Sequence, residues 1–92
     1  MLTLKYTGKF KKDYKLARKR GFDISLMEYI INELANQRQL EQKYQDHPLS
    51  GDYAGFRACH IQPDWLLVYL VENNVLTLTL TRTGTHSDLF SK

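Results

Sequence analysis

The stretch Trp65-Leu66-Leu67-Val68-Tyr69-Leu70-Val71-Glu72-Asn73-Asn74-Val75-Leu76-Thr77-Leu78-Thr79-Leu80-Thr81-Arg82 decides the fold class. Trp65 to Val71 is an unbroken apolar run, the pattern of a central strand covered on both faces. Asn73-Asn74 closes a hairpin. Leu76, Leu78 and Leu80 then alternate with Val75, Thr77, Thr79 and Thr81, the period of a strand with one buried face. Arg82 keeps the parity of the leucines, so a cation stands where the pattern calls for an apolar residue. Either the strand has left the core by then, or the arginine faces a polar site.

Upstream of the hairpin, Phe56 to Ile61 alternates like a short strand and is set off by the Pro63-Asp64 turn, with Ser50-Gly51-Asp52 as an earlier turn. Before Pro48 the period is helical. Thr7 caps a helix running to about Arg20, with Phe10, Tyr14 and Ala17 at i, i+4 and i+7 as its apolar stripe and Gly21 at its C-terminal end. Ser25-Leu26-Met27-Glu28 reads as a capping box, which opens a second helix over about 25–36. Leu2, Leu4 and Tyr6 alternate as a first strand. Downstream, Gly84 ends the last strand, and Thr85 to Phe90 forms a turn or short helix. The expectation is one α+β domain over 1–92, in the order β-α-α-β-β-β: two helices packed on an antiparallel sheet of about four strands.

Composition narrows the function. The longest apolar run, Trp65 to Val71, is far short of the roughly 20 residues a membrane span needs. The single cysteine, Cys59, has no partner for an internal disulfide and reads as a small buried apolar residue. The N-terminal residues lack the apolar core of a signal peptide, so the cytoplasm is the expected location and no membrane partner is expected. The net charge of +3 hides an asymmetry. Residues 1–20 hold eight basic groups and one acid, Asp13, a net of +7, whereas the other 72 residues net −4. Such a block marks either a polyanion-binding surface or a solvated helix face.

All three histidines, His47, His60 and His86, fall at element boundaries in the second half, with Asp64 four residues after His60 and Arg82 four before His86. The ends of neighbouring antiparallel strands can bring them to one edge. The set suits RNA cleavage by transesterification: a base for the 2′-hydroxyl, an acid for the leaving 5′-oxygen, and a permanent cation for the transition-state phosphate. None of the histidine spacings is a zinc motif, and neither metal nor cofactor is expected. The competing readings are surface or capping histidines, and a nucleic-acid or protein-binding module without catalysis, such as a co-repressor subunit. Trp65 and Phe90 read either as core or as platforms for an exposed base.

Three ordered blocks carry a family resemblance: Asp46-His47-Pro48-Leu49-Ser50-Gly51, Gly55-Phe56-Arg57-Ala58-Cys59-His60-Ile61-Gln62-Pro63-Asp64-Trp65-Leu66-Leu67-Val68-Tyr69, and Arg82-Thr83-Gly84-Thr85-His86-Ser87-Asp88-Leu89-Phe90. They resemble the YafQ-type branch of the RelE superfamily of bacterial toxins, over essentially the whole chain. The resemblance implies a toxin of a type II toxin–antitoxin pair that cuts messenger RNA in the ribosomal A site. It implies a cognate antitoxin, and contact with operator DNA through that antitoxin. It assigns His47, His60, Asp64 and His86 to proton transfer or its support, with His86 as general acid and His60 or Asp64 as base. It assigns Arg82 to the transition state, and Trp65 and Phe90 to aromatic positions in or beside the site. Lys11, Lys12 and Lys15 of the basic helix become the expected contacts to ribosomal RNA phosphates.

Overall fold

A computed structural model describes residues 1–90. Strand β1 (Thr3–Tyr6) leads into helix α1 (Gly8–Lys19) and helix α2 (Ile24–Ala35). Strands β2 (His47–Pro48), β3 (Arg57–Gln62), β4 (Trp65–Glu72) and β5 (Thr77–Gly84) follow, and a short helix α3 (His86–Phe90) comes last. The five strands make one sheet in the order β1-β5-β4-β3-β2. The sheet is mixed rather than wholly antiparallel, because β1 lies parallel to β5. The two helices between the first strand and the rest supply the crossover that a parallel pairing requires. The fifth strand is the two-residue β2, too short to show an alternating pattern.

Helix α1 starts where expected: the Thr7 hydroxyl accepts the Phe10 N–H at 2.9 Å and donates to the Thr81 carbonyl at 2.7 Å. Gly21 follows α1 with φ +79°, the left-handed conformation that reverses the chain toward α2. The cap of α2 differs from the expected box. Asp23 is the cap residue and accepts the Leu26 N–H at 3.3 Å, while the Ser25 hydroxyl donates to Asp23 at 2.5 Å. The carboxylate two residues earlier reaches the free N–H first.

The sheet has two different faces. On one, Phe10, Ala17, Met27, Ile30 and Leu34 of the helices cover Cys59, Ile61, Leu67, Tyr69, Leu78 and Leu80. The other face carries only a small cluster, Ala58, Leu66 and Val68 under Leu89 of α3. One extra residue in β5 resolves the parity of Arg82. Tyr69 pairs with Leu80 and the next residue back, Val68, pairs with Arg82, which leaves Thr81 as a bulge. Arg82 therefore shares the face of Val68, opposite to that of Leu80. A second bulge, at Ile61, lies between the His60–Leu66 and Gln62–Trp65 pairs. Leu76, expected to share the buried leucine face, is instead 58% exposed with φ +49°, in the turn before β5.

Candidate functional site

The face opposite α1 and α2 gathers the histidines. His47 sits opposite Ala58, and His60 opposite Leu66, on the side of the small cluster. His86 is the first residue of α3, which packs on the same side through Leu89. The three rings form a row, with centroids 6.1 Å apart for His47–His60 and 5.4 Å apart for His60–His86.

Each ring is held by a local cause. The His47 Nδ1 lies 2.7 Å from the Gln45 carbonyl. Its neighbour Asp46 is fixed by the Tyr69 hydroxyl and, at 3.3 Å, by the Arg57 Nε. Asp64, in the β3–β4 turn, accepts both the backbone N–H of His86 at 3.0 Å and its ring Nδ1–H at 2.6 Å. These two bonds hold the Asp64 carboxyl below the usual carboxylate range, the backbone N–H contributing most. They engage Nδ1 and leave the second ring nitrogen of His86, Nε2, outside this pairing. Burial, reinforced by the neighbouring His86 and His47, pushes His60 below the ordinary histidine value.

Arg82 completes the group. Its Nε and Nη2 donate to the Asp13 carboxylate at 2.7 and 3.2 Å, and Asp13 also accepts the Thr83 N–H at 3.2 Å. The hydrogen bond to Asp13 is the first cause that raises the already high pKa of this guanidinium. Helix α3 is drawn onto the sheet by a true capping box: the Asp88 N–H donates to the Thr85 hydroxyl at 3.1 Å, and the Thr85 N–H to the Asp88 carboxylate at 3.0 Å. Asp88 also binds Arg20, from the end of α1, at 2.6 Å. Gly84 allows this approach, since a Cβ there would stand 2.9 Å from the Asp88 Cβ.

A row of three imidazoles beside a buried-side guanidinium matches the residue blocks noted in the sequence, and comparison with known proteins decides the family. The family model described as "Bacterial toxin of type II toxin-antitoxin system, YafQ" matches residues 2–91. The chain belongs to the YafQ family. It is 41% identical over 88 residues to the mRNA interferase toxin YafQ of Escherichia coli K12, covering 95% of this chain and 94% of the relative. A metal-bound toxin from Helicobacter pylori superposes with a TM-score of 0.92 at 47% identity, over 98% of this chain and all of that one. YafQ in the E. coli DinJ–YafQ complex superposes with a TM-score of 0.88 at 40% identity, over 98% and 99% of the two chains.

Within this YafQ-family chain the other expected site residues separate. Phe90 is 41% exposed and meets Tyr53 edge-on at 5.9 Å, beside the site. Trp65 is a correction: it is 1% exposed, lies on the helix side against Phe22 at 4.9 Å, and donates its Nε1–H to the Thr83 hydroxyl at 2.9 Å. A base has no access to it. The bulge at Ile61 and the turn that follows set Trp65 on the face away from His60. Lys11, Lys12 and Lys15 are exposed on α1, outside the histidine group. Lys11 and Lys15 rim a groove of about 680 Å³ whose apolar wall includes Tyr6, Phe10, Tyr14 and Ile31.

Cys59 is buried on the helix side, and burial pushes its thiol up to about 12, so it is no nucleophile at neutral pH. Among the described residues, no three histidine, cysteine or acidic side chains come together as metal ligands. Two residues that the sequence reading did not single out prove central. Asp13 was legible only as the lone acid of a basic block, although its place three residues after Phe10 sets it beside the buried stripe. Tyr53, whose ring meets Phe56 and Phe90 edge-on, lies in a turn with no periodic signal.

Proposed function

We propose that this toxin cleaves messenger RNA in the ribosomal A site, by attack of a 2′-hydroxyl on the adjacent phosphate. The observation that carries the reading is the histidine row on the sheet face opposite α1 and α2, with Arg82 on a neighbouring strand of that face. His60, held neutral by its surroundings, takes the 2′-hydroxyl proton. The 2′-oxygen bonds to phosphorus, the bond to the 5′-oxygen breaks, and a 2′,3′-cyclic phosphate results. His86 gives the leaving 5′-oxygen its proton from Nε2 while Asp64 holds Nδ1. That role of Asp64 assigns the base to His60 rather than to Asp64. Arg82 meets the charge that builds on the phosphoryl oxygens. His47 flanks His60, and Phe90 offers a half-exposed ring to a base.

The cognate partner is an antitoxin, as the DinJ–YafQ complex suggests for a YafQ protein. The groove beside α1, apolar within and rimmed by Lys11, Lys15 and Arg18, suits an amphipathic acidic segment of that antitoxin. The same cations suit ribosomal RNA phosphates, so antitoxin and ribosome compete, and operator DNA is reached through the antitoxin. The setting is the cytoplasm; no helix among the described residues is long and apolar enough to cross a membrane.

The test is cleavage of a defined messenger RNA with and without programmed ribosomes. The toxin is stripped by chelator beforehand and returned to magnesium buffer. The expected result is cuts only with ribosomes, ending in 2′,3′-cyclic or 3′-phosphate, lost in His86→Ala and Arg82→Ala and unchanged by the stripping. Growth arrest without any cleavage by the folded, antitoxin-free chain would favour the non-catalytic binding module instead.

A further inference from the structure

Strand β1 covers the edge of β5 only as far as the Tyr6–Leu80 pair. Past that point the free edge of β5 is met by α1, first by Thr7 at the Thr81 carbonyl and then by Asp13 at the Thr83 N–H. The bulge residue Thr81 itself makes the first of these contacts. Asp13 is the only acid in the first 20 residues, and it spends its carboxylate on this one place. The pair it makes with Arg82 is well covered, with side chains 13% and 20% exposed.

We propose that Asp13 is a positioning residue for cleavage: it holds the Arg82 guanidinium from the side, so that the outer edge faces the scissile phosphate. The inference rests on the transesterification reading above. Asp13 occupies Nε and one proton of Nη2. A guanidinium has five N–H donors, so Asp13 leaves both protons of Nη1 and the second of Nη2 for other acceptors, a phosphate on the adjoining edge among them. The carboxylate and the phosphate thus use different edges and do not compete. Asp13 is itself tied to the Thr83 N–H, so the arginine is fixed to the sheet backbone rather than to a mobile side chain. This replaces the several rotamers of a long arginine by one before substrate arrives, which is the preorganisation a transition-state cation needs. The opposite role, a latch that withholds Arg82 from substrate, predicts a faster enzyme when the carboxylate is neutralised.

The experiment is single-turnover cleavage on programmed ribosomes by wild type, Arg82→Ala, Asp13→Asn, Asp13→Glu and the double variant Arg82→Ala/Asp13→Asn. Asn keeps an acceptor for the Thr83 N–H, and thermal unfolding and antitoxin binding verify the fold of each variant. Asp13→Asn is expected to lower the maximal single-turnover rate roughly 10–100-fold with the half-saturating toxin concentration within about twofold of wild type, since a misplaced catalytic group costs rate rather than binding. Asp13→Glu, which keeps the charge on a longer arm, is expected to recover part of that loss. In the Arg82→Ala background, Asp13→Asn is expected to cost nothing more, because its effect passes through the arginine. A wild type without ribosome-dependent cleavage, or Arg82→Ala at the wild-type rate, would overturn the functional reading beneath the proposal. With Arg82→Ala slow, the positioning role itself fails if Asp13→Asn matches or exceeds wild type, or slows both backgrounds equally.

Discussion

His60 stands between two other imidazoles and partly under the fold, and both circumstances disfavour its charged form. Its pKa in the folded chain therefore lies below the 6.5 of an unperturbed histidine. A base with that property stays active below pH 6.5, and the acid limb of kcat/KM is expected to have its midpoint under that value. A midpoint at or above it, from rates measured between pH 5 and 8, would assign the limb to another group. Stability follows the same sign. The unfolded chain binds the proton first, so the contribution of His60 is whole above 6.5 and is lost as pH falls toward its lower folded value. The residue types of the candidate site were legible in the sequence, since three histidines, an arginine and an aspartate fall together at element boundaries. Their supports were not. Asp13 meets Arg82 across 69 residues, and no local pattern reports such a contact. Trp65 shows the converse: the apolar run read it as core or platform, the family blocks favoured the platform, and the coordinates return it to the core.

Helix α3 is five residues long and too short to stand on propensity alone. What holds it is the Thr85–Asp88 box, the Arg20 pair and Leu89 on the sheet. The Asp88 carboxyl is held down to about 2 by Arg20 first and the Thr85 N–H next. Its contribution is present above the unfolded value of 3.8 and is lost as pH falls from there toward 2. Asp88→Ala is expected to destabilise the chain by about 1 kcal/mol, the usual worth of a cap. It is expected to reduce cleavage by more than that loss of fold explains, because His86 rides on this helix. Unchanged cleavage with the same shift in unfolding would show that His86 keeps its place through Asp64 alone. The elements themselves were mostly readable, because the strand and helix periods are strong here. The bulges were not, since an inserted residue such as Thr81 leaves the sequence alternation intact while reversing the face beyond it. The two-residue β2 offered no period to read.

Across the whole molecule, the sheet separates the work of its two sides, and substitutions should separate accordingly. Trp65→Ala opens a cavity on the helix side and is expected to cost about 3–5 kcal/mol, a large part of the 5–10 typical of a small domain. Phe90→Ala, at the exposed side, is expected to cost about 1 kcal/mol or less while weakening cleavage. Denaturant unfolding and the ribosome assay together check both, and a mild Trp65→Ala would contradict the buried placement. Reversing Lys11, Lys12 and Lys15 to glutamate is expected to weaken ribosome binding and to flatten its salt dependence, because fewer counterions are released. Binding that is unchanged at several salt concentrations would remove the basic helix from the interface.

The parallel pairing of β1 with β5 also bears on how such a protein can be made. Strand β1 finds its sheet partner only in β5, the last strand among the described residues. Helices α1 and α2 can form early, but the edge they cap does not yet exist, and Arg82 and His86 are still to come. A nascent chain halted before Thr77 thus has β2 to β4 but neither the strand that joins β1 to them nor Arg82 and His86. Fragments ending there are expected to be protease-sensitive and inert toward RNA. A chain built this way cannot bring its histidine row and Arg82 onto one sheet until β5 and α3 have been made.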